Sequence, residues 1–184
     1  MDPVLVIVLV VLALLAVGAL ALYNGLVRGR LQVREGWSGV EVQLQRRGDL
    51  VPNLVETVKG YAAHERGVFE NVTKARSQLQ SAGTPGEAGQ ANNMLTQALR
   101  SLFAVAEAYP QLRASENFAR LQEDLTDTES KIAFSRQFYN DTVLQYDNLR
   151  QAFPASVIAN FGGFGARQYF EAETASREPV KVQF

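Results

Sequence analysis

The 184-residue sequence contains no cysteine. A disulfide framework, a thiolate nucleophile, an iron–sulfur cluster and a Cys-type zinc site are all excluded by that absence. Histidine occurs once, at His64, and the residue three before it is Tyr61. The Glu-x-x-His pairs that carry di-iron or di-manganese centres in helical bundles are therefore missing. Serine-type catalysis would have to lean on this single imidazole or on a lysine, and neither a G-x-S-x-G elbow nor an S-x-x-K pair is present. An excess of either charge is also lacking: 18 Lys and Arg face 19 Asp and Glu, and Asp2 stands alone near the N-terminus. A chain so balanced has no electrostatic footprint for duplex nucleic acid, so no nucleic-acid partner is expected. Sustained period-two alternation is absent too, which argues against a sheet. The expectation is a non-enzymatic protein with no cofactor and no metal.

What the sequence does have is one long apolar run. Val4 to Leu22 gives 19 successive apolar residues, seven Leu, six Val and one Ile among them, and no charge falls between Pro3 and Val27. As a helix the run is about 28 Å long, close to the roughly 30 Å of bilayer hydrocarbon. Its branched aliphatics favour insertion by about 4 to 8 kcal/mol. A cleaved signal peptide is the competing reading, since Ala19-Leu20-Ala21 has the small-x-small form. No Lys or Arg precedes the run, however, and it exceeds the usual apolar core of a signal, so an uncleaved anchor over residues 1–23 is expected. Arg28, Arg30 and Arg34 follow the span, whereas only Asp2 and the terminal amine precede it. The positive-inside rule then places the N-terminus outside and the following domain in the cytoplasm. The three arginines are candidates for lipid headgroup contacts, with a purely solvated stop-transfer role as the alternative. Ala21, Gly25 and Gly29 recur every four residues, either as a smooth ridge for close helix packing or by chance.

From Asn24 onward the 161 remaining residues suffice for one medium domain, expected over residues 24–172 with a loose tail at 173–184. Val33, Trp37, Val40 and Leu44 step at helical spacing up to Gly48-Asp49-Leu50-Val51-Pro52. Proline lacks a backbone donor and clashes with the preceding turn, so a kink is expected there, with Asp49 a plausible cap. Leu54, Val58, Tyr61, Val68, Val72, Ala75 and Leu79 then trace a heptad-like seam, with Glu65 in one slot. Ser81 to Gly89 reads as a loop and Ala91 to Tyr109 as a second helix ended by Pro110. The last long helix is predicted from Glu116 to Ala152, its stripe running from Phe118 through Leu125, Thr128, Ile132, Tyr139, Thr142 and Tyr146 to Phe153. A helix of that reach needs partners of similar length. Pro154 is expected to open a short helix through Asn160, Phe161-Gly-Gly-Phe-Gly165 to form a turn, and Arg167 to Glu171 a further short helix. The turn resembles a phosphate-cradling loop only superficially, since no Lys-Ser/Thr follows it.

Glu123, Asp124, Asp127 and Glu129 are the strongest carboxylate cluster, but their spacing is that of a solvated helix face. Polar residues in or beside the apolar seams carry more information. Asn53, Glu56, Glu65, Glu129, Arg136 and Asn140 are candidates for an interhelical polar network that fixes register, with a ligand-binding role as the sharper alternative.

Tyr23-Asn24-Gly25-Leu26-Val27, the run from Val42 through Arg46-Arg47-Gly48-Asp49-Leu50-Val51-Pro52 to Tyr61, and Glu107-Ala108-Tyr109-Pro110 together resemble the LemA family of bacterial membrane proteins. Asn117-Phe118, Glu129-Ser130-Lys131-Ile132-Ala133, Arg136, Tyr139-Asn140 and Phe153-Pro154 extend the resemblance over nearly the whole chain. Gly36 and Gly39, poor helix formers, depart from it. The resemblance implies an N-terminal span, a cytoplasmic antiparallel bundle of long helices and no established enzymatic activity. It also implies a loose association with cell-envelope processes, including membrane remodelling in magnetosome-forming relatives and genetic proximity to a membrane zinc metalloprotease. The combined expectation is an all-α protein: a transmembrane helix followed by a four-helix-bundle-like antiparallel bundle whose first helix is kinked near Pro52. Its expected role is a self-associating scaffold at the cytoplasmic membrane. The alternative is an adaptor docking an envelope protease or sensor protein.

Overall fold

The computed structural model describes residues 2–171. Among them the chain is all-α, with six helices in the order α1 (Pro3–Lys59), α2 (Arg66–Ser81), α3 (Pro85–Glu107), α4 (Pro110–Arg113), α5 (Glu116–Gln151) and α6 (Ala155–Phe161). The described residues fall into two compact units, the first comprising residues 2–37 and 138–167 and the second residues 38–137 and 168–171. The tail expected at 173–184 lies outside the described residues.

In the first unit α1 and α5 run antiparallel. Their register can be read from the glycines: a methyl group added at Gly25 would meet Leu149, at Gly29 Tyr146, and at Gly36 both Tyr139 and Thr142. Thus Gly25 and Gly29 of the small-residue ridge let α5 approach within the same chain. Leu26, Val33, Tyr139, Val143 and Tyr146 fill the space between, all buried, and Trp37 packs on Tyr139 with ring centroids 5.4 Å apart.

In the second unit α1, α2, α3 and α5 form the four-helix-bundle-like body. Val40, Leu44, Val51, Leu54 and Val58 of α1 are buried, as are Val72, Ala75 and Leu79 of α2 and Leu95, Leu99 and Leu102 of α3. Phe118, Leu125 and Ile132 supply the α5 side. The buried Thr128 needs no partner helix, because its hydroxyl donates to the Asp124 carbonyl one turn back at 2.7 Å.

Several boundaries differ from the sequence expectation, each for an identifiable reason. No helix starts at Asp49; α1 continues unbroken through Pro52. The seam predicted as continuous from Leu54 to Leu79 is cut at Gly60–Glu65. The amides of Tyr61 and Ala62 both donate to the Val58 carbonyl, Gly60 sits where helices commonly stop, and Tyr61 is left exposed. Glu65 becomes the residue before α2 rather than a seam position. The Ser81–Gly89 loop is shorter than expected, since α3 begins at Pro85 behind a capping box: Thr84 accepts from the Glu87 amide while the Glu87 carboxylate accepts from the Thr84 amide. Pro110 opens α4 instead of ending α3. No helix forms at Arg167 to Glu171, and Phe153, the last seam residue of α5, is exposed.

How α1 tolerates its proline is explained by α2. Pro52 has no N–H, so the Gly48 carbonyl four residues earlier loses its helical donor. Arg76 supplies another: its Nε donates to that carbonyl at 2.7 Å. Arg76→Met is therefore expected to cost about 1.5 to 3 kcal/mol, the range for a hydrogen bond from a charged donor. Pro52→Ala restores the backbone donor, so the same Arg76→Met change should cost much less in that background. A double-mutant cycle by thermal or urea unfolding measures the difference.

Candidate functional site

Within the first unit, the end of the apolar span is the most distinctive region. The window that qualifies α1 to cross a membrane is wholly exposed, and among the described residues α1 is the one helix long and apolar enough to do so. From Val4 to Leu22 the run meets no packing partner that buries it, Leu22 alone being half-buried. Tyr23, immediately after it, stacks edge-on against Phe164 with centroids 5.5 Å apart. Arg30, two turns further along, holds its guanidinium 5.2 Å from the centre of the same ring, a cation–π contact. Arg28 and Arg34 remain exposed and available to anions.

Phe164 reaches this position through the Gly-rich turn. Gly163 adopts φ +66, and the Phe164 amide donates to the Ala159 carbonyl at 3.0 Å, which is the six-to-one bond of a Schellman helix end. A side chain on Gly162 would fall 2.7 Å from Phe164 Cε2, so the ring can fold back only over a glycine. The phenol of Tyr146 on α5 donates to the Gly165 carbonyl at 3.1 Å and pins the loop. The FGGFG sequence is thus a helix cap that delivers an aromatic ring to the end of the apolar run.

The second unit holds a buried cation. Arg47 on α1 is 3% exposed, and its Nη1 donates to Asn92 Oδ1 on α3 at 2.7 Å. Arg47 Nε and the Gln43 Oε1 one turn earlier have no hydrogen-bond partner. Burial pushes the guanidinium below its ordinary value, and the negative charge of Glu129 acts against that shift. An open groove of about 720 Å³ also lies in this unit, lined by Lys59, Arg66, Phe69, Glu70, Thr73 and Lys74 among others. Lys59 Nζ sits 5.6 Å over the Phe69 ring.

Of the six residues proposed from sequence for a polar network, Asn53, Glu56 and Glu129 are exposed, and Glu65, Arg136 and Asn140 are half-buried. Cross-helix hydrogen bonds outside that set join Arg47 to Asn92 and Arg76 to the Gly48 carbonyl. Arg47 could have been found: Val40, Leu44, Arg47, Val51, Leu54 and Val58 step by four and three without interruption. A kink expected between Gly48 and Pro52 hides that register. The acidic residues Glu123, Asp124, Asp127 and Glu129 are all exposed. Lys131, hydrogen-bonded to Asp127 at 2.7 Å, holds that carboxyl below its ordinary range, against partial burial and with help from Arg46. His64 lies exposed in the turn after α1. Among the described residues no three His, Asp or Glu side chains come together as metal ligands. Burial lifts the Tyr139 phenol to about 12, with Arg167 acting in the opposite direction.

Similar proteins agree with this picture of a membrane-associated helical chain. Magnetosome protein MamQ of Magnetospirillum gryphiswaldense is 26% identical, over 86% of this chain and 68% of its own length. Magnetosome protein MamQ 2 of Paramagnetospirillum magneticum is 27% identical over the same shares. The LemA family model matches residues 36–184, which takes in every helix after the span together with the second half of α1, and the chain therefore belongs to the LemA family.

Proposed function

We propose that this chain is a non-enzymatic, single-pass, membrane-anchored scaffold that self-associates at the bacterial cytoplasmic membrane in envelope organisation or membrane remodelling. One observation carries the reading: the exposed apolar segment of α1 passes without a break into residues 23–37, which pack along α5. An anchor joined through continuous helix transmits position and orientation to the folded part, as a scaffold requires and as a flexible tether does not. Anchoring also raises the effective concentration of neighbouring copies. Large apolar side chains left in solvent outside the span, Phe138 and Leu144 of the first unit, support a surface for association. Similarity to proteins named for the magnetosome supports the remodelling side of the reading. Arg28, Arg30 and Arg34 favour an outside N-terminus with the helical body in the cytoplasm.

The test is the mass of the full-length protein in detergent and in lipid nanodiscs. A defined homo-oligomer is expected in both. A monomer in both defeats the proposal, and in-cell crosslinking that yields one dominant foreign membrane protein replaces the scaffold with an adaptor.

A further inference from the structure

Helix α6 leaves an apolar stripe uncovered. Phe153, Val157 and Phe161 follow one another at four-residue spacing, and they are 85%, 47% and 92% exposed. The opposite side of the helix is buried through Ala155 and Ala159. Fully solvated phenylalanines are costly, and Phe161 at the end of α6 together with Phe153 in the turn before it call for an occupant.

The surroundings identify it. Phe164, three residues after Phe161, is held against Tyr23, the residue next to the end of the span. The register of the antiparallel pair points the same way: Gly25 faces Leu149, so the end of α5 at Gln151, from which Phe153 follows in the turn, lies on the span side of Gly25. The stripe therefore stands at the height where the apolar run ends, and Arg28 and Arg30 stand just beyond it. The loop behind it is fixed by the Tyr146 hydroxyl on Gly165 and the Arg30 guanidinium on Phe164.

We propose that α6 is an interfacial membrane contact, with Phe153, Val157 and Phe161 dipping into the headgroup–acyl boundary of the same leaflet from which α1 emerges. Aromatic side chains favour that depth, and an amphipathic segment with nearby arginines gains from anionic lipid. A second foot beside the span resists swivelling of the first unit about the α1 axis. The inference rests on the anchored reading above.

Because the chain has no native cysteine, single nitroxide labels can report depth in full-length protein reconstituted into vesicles of phosphatidylcholine and phosphatidylglycerol. Labels are placed at Val11→Cys in the span, Val157→Cys on the stripe and Ser101→Cys on an exposed face of α3. The ratio of oxygen to water-soluble nickel collision rates should be severalfold higher at 157 than at 101, and higher still at 11. Adding Phe153→Ser and Phe161→Ser should drop the ratio at 157 toward that at 101. If 157 is as accessible to nickel as 101 while 11 stays shielded, the interfacial contact is wrong and the anchor stands. If 11 is also accessible to nickel, the anchor itself fails and α6 falls with it. A label at 157 shielded from both relaxants and broadened by a neighbouring spin would mean that a second copy covers the stripe, which overturns the proposal.

Discussion

Gly36→Leu is expected to destabilise the first unit by about 3 kcal/mol, since overpacking a closed interface typically costs that much. Even a single added methyl would lie 3.2 Å from Thr142 Oγ1 and 3.3 Å from Tyr139 Cα. The second of these atoms is backbone, so no rotamer change relieves it; α1 and α5 must separate or shift. Helix propensity pulls the other way, because replacing an interior glycine stabilises a helix by up to about 1 kcal/mol. For leucine the steric term wins, and for Gly36→Ala the two nearly cancel. Gly39, three residues on, provides the control, as nothing lies within 4 Å of an added methyl there. Gly39→Ala should therefore stabilise by about 1 kcal/mol. Trp37 is the only tryptophan and stacks on Tyr139, so its fluorescence during urea titration in detergent reports this packing directly. A Gly36→Leu protein with the wild-type midpoint would show that α5 does not press on α1 at this level.

The two glycines also show why sequence reading reaches only part of the structure. As sequence, Gly36 and Gly39 look alike: both weaken a helix, and neither announces a neighbour. Only the register of α5 separates them, and register between helices a hundred residues apart is not a local property. Long elements with strong periodicity were readable for the opposite reason. The stripe of α5 repeats its signal over many turns, so its predicted limits, Glu116 and Ala152, lie within a residue of those observed. The failures sit where two local signals compete. Heptad-like spacing carried the expected helix across Gly60–Glu65, although Gly60 is itself a stop signal. Glycine-rich composition hid the Thr84–Glu87 capping box. At Pro52 the deciding group, Arg76, comes from another helix altogether. The span-exit cluster was half visible: Arg30 stands out by its position after the apolar run, but its ring partner lies at Phe164.

Asn92→Leu should destabilise the second unit by about 3 kcal/mol. The reasoning starts from Arg46 and Arg47, adjacent in sequence and opposite in environment. Arg46 is exposed and lies 3.8 Å from Asp127 across the helix surface, a contact worth little in water. Arg47 is buried, with Asn92 Oδ1 at 2.7 Å its principal acceptor and Nε unsatisfied. Removing that acceptor leaves a buried guanidinium with only the charge of Glu129 to offset its lost hydration, and a buried charge that loses its partner is far more costly than the bond itself is stabilising. Arg47→Met removes the charge but leaves the Asn92 amide unpaired, a cost of about 1 to 3 kcal/mol. The double variant, Arg47→Met with Asn92→Leu, removes both needs and replaces them with side chains of similar volume. It should lie close to wild type and well above the sum of the two single losses. Denaturation of the four proteins under one condition gives the coupling. Additive losses would mean that Arg47 finds another acceptor once Asn92 is gone. A coupling of about 2 kcal/mol or more would show that the pair sets the register of α1 against α3, the specificity role for which buried polar groups are retained at the expense of stability.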